Sequence, residues 1–296
     1  MINMYMWIYM LSMMLTFMYK NFMMIWFFME INSMMFFYML NSINKNKEMN
    51  IIYFIIQEMS SIMIIYMYLL NNFFFLMIFF LIKMGVPPMH SWLLKISSQM
   101  NWIILFIVMN LQKIIPLNLI YLNLTKIFVL FVLFSMLMSI YLVMNINNYK
   151  YLYSVTSINS VSWMFLLGLM SKTYLFFYLS LYMMVNYYFI MYMYMNNNNN
   201  LFNMLNMDMF FLLIILNLIS YPPSIMFMLK MKILFFLSNL MKIKYIMLFM
   251  LLMMVIFSLI FFVFFLNHFF TLIWKKILIN MYMYLIIYLN MLMFFI

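Results

Sequence analysis

Long apolar runs follow one another along the whole chain, separated by short segments rich in Asn and Lys. A membrane-spanning helix needs about 20 apolar residues, because the hydrocarbon core is about 30 Å thick and each helical residue rises about 1.5 Å. The pattern predicts about eleven such helices, over residues 2–19, 22–40, 51–70, 73–94, 99–121, 127–145, 152–171, 173–195, 207–240, 245–266 and 277–296. We therefore expect an all-α polytopic membrane protein that forms a single transmembrane domain over residues 1–296.

Two of the predicted spans contain a proline pair. Pro87-Pro88 interrupts the fourth span and Pro222-Pro223 the ninth. Proline removes a backbone donor, and lipid tolerates the freed carbonyls only where they face protein or water. A simple kink is the alternative, but each pair stands near a lysine inside a span, which favours two broken helices like those of transporters. The run Asn196 to Asn200 predicts an exposed, Asn-rich loop over residues 196–206.

Composition supports the membrane assignment and also indicates which genome encodes the chain. Hydrophobic residues make up 71% of the chain and charged residues 6%, too few to cover a soluble core. The abundant residue types can be written with A and T alone when ATA encodes Met, so the 47 Met indicate a mitochondrial gene. A Met-lined metal pathway would need Met clustered at ligand spacing, whereas Met is spread through nearly every segment.

The residue types also limit the chemistry of the chain. Because it has no Cys and two His, we expect no iron–sulfur cluster and no multi-haem centre, and we expect no metal site. The net charge of +11 does not indicate nucleic acid binding, because the lysines are scattered among apolar spans.

Six charged residues lie well inside predicted spans, whereas the other lysines lie near span ends, where a long side chain reaches the interface. The six are Glu30, Glu58, Lys83, Lys113, Lys230 and Lys232. A charge at the bilayer centre costs at least ~2.5 to 3.5 kcal/mol, so such residues normally face a polar interior and transfer ions or protons. At most one of the two neighbouring lysines of the ninth span points into that interior, because they are about 200° apart around the helix.

Lysine and glutamate together suit proton relay, because burial destabilises the charged form of each and their mutual attraction stabilises it. A static ion pair that fixes helix register is the alternative, but three separated lysines with one glutamate leave charge unpaired, which favours relay. Glu58 either pairs with a lysine or is neutral. His90 follows the first proline pair and is a further relay candidate, with a structural role as the alternative.

Several motifs match one known family in order. The segment LIKMGVPPMHSW resembles the family's Lys-x-Gly-x-x-Pro-Phe-His-x-Trp, NLQKIIPL resembles its Trp-Gln-Lys-x-Ala-Pro, and WFFMEINSMMF resembles the segment of its key glutamate. Matching residues are Glu30, Glu48, Tyr53, Phe54, Gln57, Lys83, Gly85, Pro88, His90, Trp92, Gln112, Lys113, Pro116, Ser157, Ile158, Trp163, Pro222, Pro223, Phe227 and Lys230. The ordered set, spanning residues 26–230, resembles the antiporter-like subunits of respiratory complex I, in their NADH dehydrogenase subunit 2 branch. The chain departs from the pattern at Ile52, Met89 and Leu111, where the family has Lys, an aromatic residue and Trp.

This resemblance implies a fold and an activity. The fold has antiporter-like inverted repeats, each with a broken helix, and lacks the first three helices of its bacterial relatives. Glu30 and Lys83 would form a charge pair, with Lys113 central and Lys230 terminal in a proton relay. The chain would be a core membrane subunit of mitochondrial complex I that contributes to proton translocation across the inner membrane, coupled to electron transfer from NADH to ubiquinone.

The resemblance also implies partners. As a subunit of the proton-translocating NADH:ubiquinone reductase, the chain would hold no cofactor itself, while the complex uses NADH, flavin, iron–sulfur clusters and ubiquinone. Its partners would be other membrane-arm subunits and a cardiolipin-containing bilayer, and not nucleic acid. Two alternatives stay open, a structural membrane-arm scaffold without its own proton path and an independent cation/proton antiporter.

Overall fold

The computed structural model describes residues 2–43, 47–122, 128–143, 148–168, 171–195, 209–222, 224–240 and isolated positions between 249 and 263. The elements are α1 (Ile2–Met18), α2 (Phe22–Ile43), α3 (Lys47–Leu69), α4 (Phe73–Met84), α5 (Ser91–Gln99), α6 (Trp102–Phe106), a π-helical segment (Ile107–Leu111), α7 (Gln112–Leu122), α8 (Phe128–Val143), α9 (Tyr149–Gly168), α10 (Lys172–Met195), α11 (Met209–Ile219) and α12 (Ile225–Leu240). The chain divides into two compact units, Met1–Ile190 and Met191–Ile296.

The described helices follow the first nine predicted spans. The predictions for residues 277–296, for most of 245–266 and for the Asn-rich loop at 196–206 lie outside the described residues. The total of eleven spans, the single domain and the inverted repeats therefore stay predictions.

The helices have the length and the outer surface of membrane helices. Four described stretches are long and apolar enough to cross a bilayer, namely Phe22–Ile43, Lys47–Leu69, Trp102–Tyr121 and Lys172–Met195. Large apolar side chains point outward, such as Trp7 at 71%, Met59 at 60% and Phe177 at 56% exposure. In water, molecules with such an apolar surface would associate with one another, whereas lipid chains solvate the surface. The chain is thus an all-α, multi-pass membrane protein.

In the first unit, helices that are neighbours in sequence pack side by side, α1 on α2, α2 on α3 and α3 on α4. Short connections make such neighbours antiparallel. Helix α7 returns to pack on both α2 and α4. Three helices that contain predicted site residues, α2 with Glu30, α4 with Lys83 and α7 with Lys113, therefore pack together.

Helix α9 is the buried polar helix of the first unit. All its residues except Lys150 and Tyr151 are buried, and it packs on α5, α8 and the π-helical segment. Each hydroxyl of its serine-rich stretch donates a hydrogen bond to the carbonyl three residues earlier, at Ser154, Thr156, Ser157, Ser160 and Ser162. Because every one of these hydroxyl protons has a partner inside the helix, burying the polar stretch costs little.

Both predicted helix breaks are present. Helix α4 ends at Met84 and α5 begins at Ser91, while α11 ends at Ile219 and α12 begins at Ile225. The fourth span was predicted to end at residue 94, which was too early, because α5 continues to Gln99. The polar residues after position 94 indicated the end of a span. Ser97 is nevertheless buried within α5, where its hydroxyl donates a hydrogen bond of 2.9 Å to the carbonyl of Leu94.

Candidate functional site

Lys83 stands in the last turn of α4, directly before the first break. Gly85 ends the helix in the left-handed region, at φ 66°, and the N–H groups of Gly85 and Val86 bond to the carbonyls of Ile82 and Leu81. A Cβ at Gly85 would lie 2.6 Å from Cδ1 of Leu93, so both the backbone conformation and the packing require glycine here.

Side chains from other helices satisfy the carbonyl groups freed by this break. The indole N–H of Trp92 donates to the carbonyl of Ile82 at 3.1 Å, and the Gln57 amide donates to the carbonyl of Lys83 at 3.0 Å. Carbonyl groups without such hydrogen-bond partners would destabilise the fold in a lipid environment. These hydrogen bonds therefore stabilise the break and hold the backbone of Lys83 in place.

The structure brings Glu30 and Lys83 together. The Lys83 Nζ lies 3.5 Å from the Glu30 Oε1, with the two side chains 5% and 17% exposed. Glu30 lies in α2 and Lys83 in α4, and α3 and α7 each pack on both of these helices. The sequence named these residues as a pair, and the geometry agrees, while their part in transport stays a prediction.

Glu58 of α3 joins the same group of side chains. Its Oε1 is 2.9 Å from the hydroxyl of Ser33, and its carboxyl is within hydrogen-bonding reach of the Glu30 carboxyl. Sequence reasoning left Glu58 as either paired with a lysine or neutral, and it missed Ser33. The spacing of three residues between Glu30 and Ser33 puts both on one face of α2, and this spacing was the available indication.

A cavity with room for about one water molecule opens beside Lys83. It is lined by Met29, Asn32, Ser33, Tyr53, Gln57, Lys83, Gln112 and Ile115. Its polar lining comes from α2, α3 and α7 as well as from α4, and Tyr53 of α3 and Gln112 of α7 both contribute to it. The cavity thus extends from Lys83 to the residue that precedes Lys113.

Lys113 is buried in α7, with 3% of its surface exposed. Its Nζ donates a hydrogen bond of 3.3 Å to the backbone carbonyl of Ser157 in α9. Among the described residues, no carboxylate lies within ion-pair distance of it. The helix is irregular around this lysine, because the π-helical segment ends just before it and Pro116, which cannot donate to the carbonyl of Gln112, follows it.

Lys230 lies in α12, in the second unit. The lysine is 3% exposed and its Nζ donates a hydrogen bond of 2.6 Å to the Ser220 hydroxyl, whereas Lys232 is exposed. This confirms the prediction that at most one of the two lysines points inward. Ser220 has φ 57° and ends α11 much as Gly85 ends α4, since the Tyr221 N–H bonds to the carbonyl of Leu216.

His90 lies between the first proline pair and α5. It is half-buried, and its Nδ1 is 3.2 Å from the carbonyl of Pro88. This contact fixes the ring against its own loop. The structure does not place His90 in the group formed by Glu30, Glu58 and Lys83, and its proposed relay role stays a prediction.

Two known proteins are similar to part of the chain. One is NADH-ubiquinone oxidoreductase chain 2 of Artemia franciscana, 39% identical over 95 residues, which cover 31% of this chain and 31% of that protein. The other is NADH-ubiquinone oxidoreductase chain 2 of Artemia salina, 40% identical over 77 residues, which cover 25% of this chain and 56% of the relative. The chain thus spans less than two thirds of either relative. No protein-family model matches it. These two relatives confirm the resemblance that the motifs indicated.

Proposed function

We propose that this chain, a relative of NADH-ubiquinone oxidoreductase chain 2, is a core membrane subunit of mitochondrial complex I. It would lie in the inner mitochondrial membrane as a multi-pass subunit and contribute to proton translocation coupled to electron transfer from NADH to ubiquinone. Its partners would be other membrane-arm subunits and a bilayer that contains cardiolipin. The chain has no Cys, and we assign the electron carriers to other subunits of the complex.

The observation that supports this role most strongly is the ion pair of Glu30 and Lys83 at a helix break. Burying two opposite charges in a membrane protein gives little net stability, because desolvation offsets most of their attraction. Removing the charge of one partner, however, leaves the other strongly destabilised. Such a pair suits a step in which one proton arrives and another leaves.

The proposed step begins at Glu30. A proton that reaches its carboxylate forms an O–H bond and removes the negative charge beside Lys83. The Lys83 ammonium then loses its counter-charge, one N–H bond breaks, and the proton leaves through the adjoining polar cavity toward Gln112 and Lys113. A water molecule in that cavity would bridge the gap, since the lining offers several polar partners.

Lys113 is the proposed acceptor of this proton. As a buried amine with a carbonyl partner from Ser157 it needs no counter-charge while neutral, and it becomes an ammonium group when the proton arrives. By the family resemblance, Lys230 is the terminal lysine of the relay. Its contact with the Ser220 hydroxyl gives that lysine a polar partner inside the second unit.

Proton counting on a charge-neutralised variant tests the proposal. In sealed vesicles that contain the assembled complex, Lys83→Met should pump fewer protons per NADH oxidised while electron transfer to ubiquinone continues. Lys95→Met is the matched control, because Lys95 is an exposed lysine on the other side of the same break. An unchanged ratio of protons to NADH in assembled Lys83→Met would contradict the relay and favour the scaffold role.

A further inference from the structure

Glu58 has a position that the relay described above does not use. It lies midway along α3, which runs from Lys47 to Leu69, so about 16 Å of helix separates it from either end at about 1.5 Å per residue. A glutamate side chain is far too short to reach the interface from there. Its carboxyl group therefore lies in the interior of the membrane, where an unpaired charge is expensive.

The neighbours of Glu58 come from three helices. Its Oε1 contacts the Ser33 hydroxyl of α2, and its carboxyl lies within hydrogen-bonding reach of the Glu30 carboxyl. Lys83 of α4 interacts with it electrostatically, as does Tyr53 of α3. Among the described residues, these three titratable groups, Glu30, Tyr53 and Lys83, are the ones that interact with the Glu58 carboxyl.

The hydrogen bonds around Ser33 indicate where a proton lies. Its Oγ is 2.8 Å from the backbone carbonyl of Glu30 and 2.9 Å from the Glu58 Oε1. A serine hydroxyl has one hydrogen and cannot donate fully to both oxygens. If Glu58 is protonated, its O–H donates to Ser33, and the serine hydroxyl then donates to the Glu30 carbonyl, so both contacts are satisfied.

The charges of the group lead to the same arrangement. One carboxylate, Glu30, balances the Lys83 ammonium, and a second carboxylate at Glu58 would leave a net negative charge in the membrane. The negative charge of Glu30 close by also favours the neutral, protonated form of the Glu58 carboxyl over a second anion. A protonated Glu58 leaves the group neutral.

We propose that Glu58 is a further proton-carrying residue, an acid that supplies the proton taken up by Glu30. This inference rests on the proposed function and names the proton donor of its first step. The O–H bond of Glu58 breaks as an O–H bond forms on Glu30, and the negative charge moves to Glu58. Glu58 then regains a proton from an acidic group of a neighbouring subunit, on the side that this chain leaves partly exposed.

Two substitutions at Glu58 separate a proton-carrying role from a structural one. In Glu58→Gln the amide still donates a hydrogen bond to Ser33 but cannot release a proton. In Glu58→Asp the acid is kept on a side chain shorter by one methylene. Glu48→Gln is the matched control, because Glu48 is an exposed glutamate at the start of the same helix.

The measurement is the ratio of protons pumped to NADH oxidised in vesicles with the assembled complex. We expect the ratio to fall in Glu58→Gln toward that of Lys83→Met, to be largely restored in Glu58→Asp and to stay normal in Glu48→Gln. A normal ratio in Glu58→Gln with a lowered one in Lys83→Met would overturn this inference alone. A normal ratio in Lys83→Met would overturn the proposed function and this inference with it. Loss of assembly in Glu58→Gln would show a structural role and overturn the inference as well.

Discussion

The Lys230 Nζ donates a hydrogen bond of 2.6 Å to the hydroxyl of Ser220, the residue at which the chain turns out of α11. The lysine of the second half-helix is thereby bound to the end of the first half-helix. The Ser220 hydroxyl in turn donates to the carbonyl of Ile219, so its proton is occupied and its lone pairs face the lysine. The helix break thus supplies a polar partner for a buried lysine.

Removing this hydroxyl should destabilise the second unit. Ser220→Gly keeps the left-handed backbone favourable and removes the hydroxyl, a loss that we expect to cost roughly 1–3 kcal/mol because the buried Lys230 loses an acceptor. The double variant Ser220→Gly with Lys230→Met should cost less than the sum of the two single variants. Heat inactivation of the purified complex measures all three, and strict additivity would contradict the coupling.

Replacing Gly85 should destabilise the first break through two separate effects. Gly85→Ala combines a left-handed backbone, which costs about 1–3 kcal/mol for a residue other than glycine, with the collision against Leu93. Gly85→Asn relieves part of the backbone cost but keeps the collision. We expect both variants to lower the heat-inactivation temperature of the purified complex. An unchanged temperature in Gly85→Ala would contradict the requirement for glycine at this break.

Gln57→Leu should weaken the site without changing its charges. The carbonyl of Lys83 would lose its amide donor, and an unsatisfied buried carbonyl costs about 1–3 kcal/mol. We therefore expect a lower heat-inactivation temperature and poorer assembly. Met59→Leu is the control, since Met59 lies on the outer surface of the same helix. Equal stability of the two variants would contradict the role given to the Gln57 amide.

The sequence alone was sufficient to predict the parts of the structure that depend on local pattern. Apolar runs predicted the helices, the proline pairs predicted both breaks, and the 200° between Lys230 and Lys232 predicted that only one of them is buried. The pairing of Glu30 with Lys83 came from the family resemblance, because no local pattern shows which helices meet.

The parts that could not be predicted depend on contacts between distant segments. Ser33 meets Glu58 because α2 and α3 pack with these two faces together, and the Ser157 carbonyl meets Lys113 because α9 passes beside α7. The π-helical segment before Lys113 was also unforeseen, since Pro116 alone is compatible with a simple kink. A main-chain partner such as the Ser157 carbonyl cannot be predicted from residue type, because every residue has a backbone carbonyl.

The most direct test of the relay is Lys113→Arg, because it separates a transferred proton from a fixed positive charge. Arginine keeps the charge at this position but does not release its proton in a protein. Lys113→Met, which removes the charge, shows the effect of losing the side chain altogether. In vesicles with the assembled complex, we predict that both variants oxidise NADH but pump fewer protons per NADH than the unmodified complex. An unchanged ratio in Lys113→Arg would show that Lys113 acts as a fixed charge and would contradict proton transfer through this lysine.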